Sequence, residues 1–263
     1  MRDTLETVLI SIGTSTIAVS GGVDSMTLGV LANRHLGPST VSMMHAVSPA
    51  VPTEATARVQ KWAMREGWDL RLIDAGELAD ENYRSNPVNR CFFCKTNLYG
   101  TIARFTDRQI LSGANTDDLG EYRPGLDAAR DHHVRHPYLE AGLNKAEVRA
   151  LARKLGLGDL AELPASPCLS SRVETAIAID PETLQSIDAV ENFLAQELHP
   201  KTIRCRVRHD GVVIELDRTS FAELHDHSRL SSSIAGFLPA HLAAKPIRFE
   251  PYRNGSAFVG PKP

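Results

Sequence analysis

The sequence predicts an α/β fold: a doubly wound parallel sheet followed by a smaller C-terminal α+β domain. Three observations carry that reading. Short apolar or β-branched runs alternate with helical patterns up to about residue 111, and strands separated by helices pair in parallel. A glycine turn joins the first of those runs directly to a helix. Beyond Glu162 the pattern changes to one long helix followed by a hairpin signal.

Residues 16–19 read as the first strand and 24–35 as a helix closed by Leu36-Gly37-Pro38. Residues 40–47 are the second strand. Thr53 is placed to cap a helix over 54–67, with Ala57, Trp62 and Ala63 apolar. Residues 68–74 alternate apolar and polar as a third strand. A helix over 95–105 follows a cysteine-bearing loop, and 108–111 form a fourth strand ending at Ser112-Gly113. Ligands of such sheets bind at the carboxyl ends of the strands, where the glycine turn at 20–22 and the loop at 112–118 both fall. Residues 113–144 read as irregular, and a loop of that length is usually functional or mobile. Asn144 caps an amphipathic helix over 145–155, with Val148, Leu151 and Leu155 on one face. Asp180-Pro181-Glu182 opens a helix to about residue 198. Strands over 202–208 and 212–216 meet at His209-Asp210-Gly211, 219–225 is helical, and 246–249 is a last strand. The expected domains are 1–165 and 166–253, with a flexible tail over 254–263.

The chain has 263 residues, of which 42% are hydrophobic and 23% charged, enough for a sizeable core. Mean hydropathy is −0.20, and no apolar run approaches the ~20 residues of a membrane span. Met1-Arg2-Asp3-Thr4-Leu5-Glu6 is too acidic for a secretory signal, so a cytoplasmic enzyme with no membrane partner is expected. A net charge of −3 argues against a dedicated nucleic-acid binder, which needs a basic surplus to neutralise phosphate. Arg204, Arg206, Arg208 and His209 form a local basic cluster, readable as a solvated strand face or an anion site. His132, His133 and His136 read as surface histidines, since no matching fourth metal ligand accompanies them.

There are four cysteines, and a cytosolic setting argues against disulfides. Cys91 and Cys94 form a C-x-x-C: half of a zinc or cluster site, a redox pair, or two packed small residues. Strand alternation puts Cys205 on the face opposite Arg204 and Arg206, so it is expected to be buried.

The string Ser20-Gly21-Gly22-Val23-Asp24-Ser25 carries the most chemistry. Paired glycines let backbone N–H groups close around an anion, and the helix N-terminus faces the same point. Ser20 and Ser25 add hydroxyl donors, and Asp24 can cap the helix or hold Mg2+. The hexapeptide resembles the PP-loop of the ATP pyrophosphatases, which split ATP between the α and β phosphates and adenylylate a substrate. No lysine follows, as the Walker-type phosphate loop requires.

Three further strings extend the resemblance. They are Asn89-Arg90-Cys91-Phe92-Phe93-Cys94-Lys95, the segment from Ser112-Gly113-Ala114-Asn115-Thr116-Asp117-Asp118 through Tyr122-Arg123-Pro124-Gly125-Leu126, and Pro167-Cys168-Leu169-Ser170-Ser171-Arg172. Together with the PP-loop they resemble the ATP-dependent sacrificial sulfur transferase family (LarE), over about residues 5–250. Its members build the sulfur ligands of the nickel-pincer nucleotide cofactor used by lactate racemase. A carboxylate resists sulfur attack because oxide is a poor leaving group; adenylylation gives a mixed anhydride from which AMP departs.

The resemblance implies ATP and Mg2+ as cofactors, a nucleotide-like substrate of the pyridinium dicarboxylate mononucleotide type, and a homo-oligomer. It implies ATP binding by Ser20, Gly21, Gly22, Asp24, Ser25, Asp118 and Arg123, with Asp117 a further Mg2+ or ribose candidate. Arg204 and Arg206 match arginines that hold the substrate phosphate, and their i, i+2 spacing puts both on one strand face. Glu191, Glu215 and Glu223 match a trio of acids that binds divalent metal, and Ser171 and Arg172 flank the activated intermediate. Family members differ in sulfur source. Cys91, Cys94 and Cys168 match the type with a three-cysteine [4Fe–4S] cluster, whose open iron holds sulfide from an external donor. The alternative is a sacrificial Cys168 that becomes dehydroalanine. Val173-Glu174-Thr175-Ala176 replaces the aromatic–glycine turn that usually follows the arginine, which alters that side of the pocket.

Rival classes remain open at this point. A tRNA-thiolating enzyme also combines a PP-loop with three cysteines but calls for a basic surface. An amide-forming ligase of the same superfamily needs no cysteine triad. A non-catalytic adenine-nucleotide-binding protein would bind ATP without releasing pyrophosphate.

Overall fold

In the computed structural model, which describes residues 2–120, 122–165, 167–253 and 255–257, helix α1 (Arg2–Ile12) leads into β1 (Ser15–Ala18). The glycine turn then releases α2 (Val23–Leu36), followed by β2 (Val41–Ala46), α3 (Thr53–Glu66) and β3 (Asp69–Ile73). Next come the short α4 (Glu81–Arg84), α5 (Arg90–Phe105), β4 (Gln109–Leu111), α6 (Pro124–Asp131), α7 (Pro137–Glu140), α8 (Lys145–Lys154) and α9 (Gly158–Ala161). The chain ends with α10 (Pro181–Leu198), β5 (Ile203–Arg208), β6 (Gly211–Leu216), α11 (Arg218–Ala222), α12 (His227–Ala235), α13 (Ala240–Ala243) and β7 (Ile247–Pro251). Two units emerge: 1–77 with 91–166, and 78–90 with 167–263.

The first unit is built on a parallel sheet in the order β3-β2-β1-β4, with Ser15 paired to Val41 on one side and Gln109 on the other. β1 and β2 are buried on both faces, the condition of inner parallel strands, whereas β3 exposes most of its residues at the edge. On one face Leu5 and Leu9 of α1, Met26 and Leu28 of α2, and Val148 and Leu151 of α8 share a core. On the other, Tyr99 and Ile102 of α5 and Ala129 of α6 pack with Met44, Ile73 and Ile110. Helices on both faces make the sheet doubly wound, as expected. Gly29 explains itself by packing: a Cβ there would lie 3.2 Å from the Trp68 ring. The chain order turns back at β1, so the switch point brings the loops after β1 and β4 side by side.

Some boundaries differ from expectation. α5 begins at Arg90, so Cys91 and Cys94 stand in the helix rather than in a loop before it. Thr53 is inside α3, whose cap position is Pro52 and carries no side-chain cap. The stretch expected to be irregular holds α6, α7 and a 3-10 turn over Thr116–Gly120. Asn144 does cap α8, through a full capping box with Glu147.

The second unit carries a three-stranded sheet in the order β5-β6-β7, an antiparallel hairpin followed by a parallel pair. α10 starts where Asp180 accepts the Thr183 N–H at 2.9 Å. Residues 78–90, read in sequence as part of the first domain, belong here. Asn86, fully buried, donates from its side-chain amide to the carbonyls of Glu174 and Ile177, each at 2.9 Å, and its main-chain carbonyl accepts Ala176 N–H at 3.0 Å. Arg90 in turn donates to Asn86 Oδ1 at 2.8 Å. The tail expected to be flexible is held at Ala257, which is buried and accepts Thr175 N–H at 3.1 Å; residues 254 and 258–263 lie outside the described residues. Among the described residues no helix is long and apolar enough to cross a membrane.

Candidate functional site

The loop after β1 is fixed from several sides. Gly21 has φ +81°, and a Cβ there would sit 2.7 Å from Ala55 O, so only glycine fits. Arg58 of α3 donates to Gly21 O at 2.9 Å. Ser20 N and Oγ both meet Ser25 Oγ, at 3.0 and 3.1 Å. Gly22 stands at the N-cap of α2 with no side-chain cap, so no capping side chain covers the first-turn amides, an arrangement that suits an anion. Gly113 of the β4 loop closes in from the side, where a Cβ would lie 2.8 Å from Ser25 N. Asp24 does not cap the helix. Its Oδ2 pairs with Lys145 Nζ, its carbonyl accepts Tyr138 OH at 3.0 Å, and its buried Oδ1 has no hydrogen-bond partner among the described residues.

The β4 loop folds on its own acids. Asp118 Oδ2 accepts Asn115 N–H at 3.0 Å, and Oδ1 pairs with Arg123 at 3.0 Å. Asp117 Oδ2 accepts Lys145 N–H at 3.3 Å, which ties this loop to the start of α8. Ser112 Oγ and His136 Nδ1 share a hydrogen bond of 2.8 Å. Burial holds His136 below the usual imidazole value, against the opposing pull of Glu140 and Asp118. His136 is therefore part of this constellation and not the surface histidine expected. Lys145 and Tyr138 were not anticipated either; a lysine just after a cap residue looks like any helix-surface lysine.

Hard carboxylate oxygens on Asp24 and Asp118 suit Mg2+, which typically takes one or two carboxylates and fills its remaining positions with phosphate and water. Among the described residues no group of three His, Cys, Asp or Glu side chains is arranged to hold a metal ion.

Cys91 and Cys94 are three apart on α5 and so share a face, both half-buried. The Pro124-Gly125 turn packs on the same stretch, a Gly125 Cβ falling 3.0 Å from Lys95 Cγ and 3.7 Å from Cys91 O.

Cys168 belongs to the second unit, immediately before a 3-10 turn over Leu169–Arg172. Arg172 organises that turn. It binds Glu191 bidentately at 2.9 Å through Nε and Nη2, and Nη1 donates to Pro167 O, Cys168 O and Ser171 Oγ at 2.6, 3.2 and 3.1 Å. Burial pulls the Arg172 pKa down, but Glu191 outweighs it and the net direction is up, with the Cys168 thiol close enough to add to the rise.

Beside it, Arg206 donates to Glu215 Oε2 and to Ser171 O, each at 2.9 Å, and Arg208 reaches Glu215 Oε1 at 3.0 Å. Arg204 lies directly opposite Glu215 in the strand register, yet Arg206 on the diagonal and Arg208 beyond it take the carboxylate. Arg204 donates to Ile203 O at 2.6 Å and lies 5.7 Å from the Tyr252 ring; burial, then repulsion from Arg172, lower its pKa. Tyr252 also lines an open cleft of about 430 Å³ with Arg218, Phe221, Pro251 and Arg253.

The three acids expected to bind divalent metal stand in different surroundings. Glu191 and Glu215 are bound by arginines, and Glu223 is exposed at the C-cap of α11. Cys205 is fully buried as expected, which pushes its thiol pKa up, and its N–H donates to Glu191 Oε1 at 2.8 Å. The result is a cluster of arginines around fewer carboxylates, a setting for an anionic ligand.

No protein-family model matches the chain. An uncharacterised protein of Synechocystis sp. is 33% identical over 243 residues, 91% of this chain and 90% of its own. The pyridinium-3,5-bisthiocarboxylic acid mononucleotide synthase of Lactiplantibacillus plantarum is 29% identical over 205 residues, 76% of this chain and 74% of its own. The chain fits the LarE family. A further relative, an uncharacterised protein of Methanocaldococcus jannaschii, is 25% identical over 213 residues, covering 76% and 77% of the two chains.

Proposed function

We propose that this LarE-family chain is an ATP-dependent sulfur transferase that converts a carboxylate of a pyridinium mononucleotide into a thiocarboxylate, for nickel-pincer nucleotide synthesis. The kinship with the pyridinium-3,5-bisthiocarboxylic acid mononucleotide synthase supports the substrate class. The observation that carries the ATP step is the bare N-terminus of α2, with no capping side chain at Gly22 and a buried oxygen on Asp24 that has no hydrogen-bond partner among the described residues.

In the first step a substrate carboxylate oxygen bonds to the α-phosphorus of ATP. The bond from that phosphorus to the bridging oxygen breaks, and pyrophosphate leaves with the electron pair. The α2 amides face the departing charge, and Asp24 and Asp118 would hold Mg2+, which neutralises phosphate charge. Arg204 would hold the substrate phosphate beside the salt-bridged Arg206. In the second step sulfur bonds to the activated acyl carbon and AMP departs. Cys91, Cys94 and Cys168 would hold a [4Fe–4S] cluster, which supplies an open iron for sulfide.

A second reading of the sulfur source has its own observation. The Arg172 guanidinium sits against Cys168, donating to its carbonyl at 3.2 Å, and a cation beside a cysteine is a setting for direct attack and sacrifice.

The test is anaerobic reconstitution with iron and sulfide counted, followed by a pyrophosphate assay with ATP and pyridinium dicarboxylate mononucleotide. Pyrophosphate release together with about four irons per chain, lost in Cys91→Ser, Cys94→Ser or Cys168→Ser, is the expected result. Release without iron, and a chain lighter by one hydrogen sulfide after turnover, assigns the sulfur to Cys168. No pyrophosphate overturns the function.

A further inference from the structure

We propose that Lys145 is an internal substitute for the divalent cation at Asp24: it holds the carboxylate while nucleotide is absent, yields it to the metal, and turns to the nucleotide phosphates. This rests on the ATP-dependent reading above, since it assigns a partner for the displaced ammonium.

Asp24 and Lys145 are 121 residues apart in sequence and meet as an ion pair. The pair satisfies only half of the carboxylate. Oδ1 is buried without a hydrogen-bond partner among the described residues, and a carboxylate oxygen kept from both water and donors is an incomplete arrangement. Tyr138 OH fixes the Asp24 carbonyl at 3.0 Å, so the carboxylate is delivered to one place.

Lys145 is anchored at its root and loose at its tip. Its N–H donates to Asp117 Oδ2 at 3.3 Å, and the Asn144–Glu147 capping box fixes the first turn of α8 beneath it. Its side chain is 32% exposed and carries a compact ammonium on a flexible stem, so the charge can swing while the backbone stays.

The location disfavours a purely structural pair. Lys145 is the first residue of α8, and Asp24 is in the first turn of α2, so the ammonium sits at two positive helix ends. Half-exposed ion pairs add little stability even in good settings. The same positive surroundings suit an incoming triphosphate, for which a lysine is a mobile point charge.

The test uses Mn2+ alone as the probe, its binding to the nucleotide-free full chain followed by electron paramagnetic resonance, with pyrophosphate release measured in parallel. In Lys145→Met and Lys145→Gln the competitor is gone, so Mn2+ affinity should rise several-fold while pyrophosphate release falls tenfold or more with a higher KM for ATP. Adding Asp24→Asn to either variant should abolish the gain. A purely structural lysine would not move the two readouts in opposite directions. Unchanged Mn2+ affinity in both variants overturns the cation exchange, and tighter Mn2+ with unchanged ATP kinetics overturns the turn to phosphate. Tighter Mn2+ in a chain whose unmodified form releases no pyrophosphate upholds the exchange and refutes the ATP chemistry instead.

Discussion

Arg206 donates Nε to Glu215 Oε2 at 2.9 Å, and both side chains are out of solvent. Its Nη1 also holds Ser171 O, so this arginine is a structural tie as well as a candidate anion ligand. Arg206→Ala leaves a buried carboxylate with Arg208 alone and should cost about 3–5 kcal/mol. Arg204→Ala removes a cation that burial and Arg172 disfavour and Glu191 favours, and it keeps both arginine bonds to Glu215, so as a candidate phosphate ligand its loss should weaken substrate binding with less loss of stability. Denaturant melts beside calorimetric substrate titrations separate the two; equal destabilisation by both variants would refute the division of labour.

Gly113→Ala should damage the glycine loop after β1 selectively. Its methyl group would meet Ser25 N at 2.8 Å and Asp24 C at 3.0 Å, and both are backbone atoms that cannot rotate away. Overpacking of this kind costs about 1–3 kcal/mol and shifts the loop. Gly120→Ala, with nothing within 4 Å, is the matched control. Pyrophosphate release should collapse in the first and persist in the second.

Stability should fall as pH drops through the histidine range. Burial holds the imidazole of His45 below its ordinary value, against an opposing hydrogen bond to Val19 O, and His136 is lowered likewise. Below the unfolded-state value of about 6.5 the unfolded chain takes up protons that the folded chain refuses. Stability is therefore full above that value and is lost on acidification, by at most about 1.4 kcal/mol per pH unit for each histidine. Melting temperatures from about pH 8 to 5 give the curve. His45→Asn should flatten it, since an amide can replace the bond to Val19 O without titrating.

Asn86→Ala should be among the costly single changes in the second unit. It removes amide bonds to Glu174 O and Ile177 O and the acceptor for Arg90, and leaves alanine at φ +54°. At about 1 kcal/mol for each bond plus the backbone strain, a loss of about 3–4 kcal/mol is expected in a urea melt. A loss below about 1 kcal/mol would mean that the segment is not anchored there.

The strand, glycine turn and helix start around Gly21 were legible because their signal is local: a buried strand, two glycines and a helix start lie within ten residues. The capping box at Asn144 and the Asp180 cap were legible for the same reason. The start of α5 was not, because Cys-Phe-Phe-Cys has little helix propensity and packing on its neighbours decides the outcome. The role of the acids was illegible in a different way. Glu191, Glu215 and Glu223 read alike in one dimension, but the fold gives Glu215 to Arg206 and Arg208, although the register faces it with Arg204, and leaves Glu223 in solvent. Lys145 and His136 gain meaning only from partners far away in the chain.

The placement of residues 78–90 has a consequence for synthesis. The chain passes between its units three times, after residues 77, 90 and 166. On the ribosome the segment around Asn86 emerges long before Val173, Glu174 and Ile177, the residues whose carbonyls it binds. It must wait, unpartnered, until those carbonyls leave the exit tunnel. The stretch after residue 166 therefore closes a piece of architecture laid down about ninety residues earlier (the separations are 87, 88 and 91 residues), and no single cut in the chain yields either unit as one continuous, complete segment.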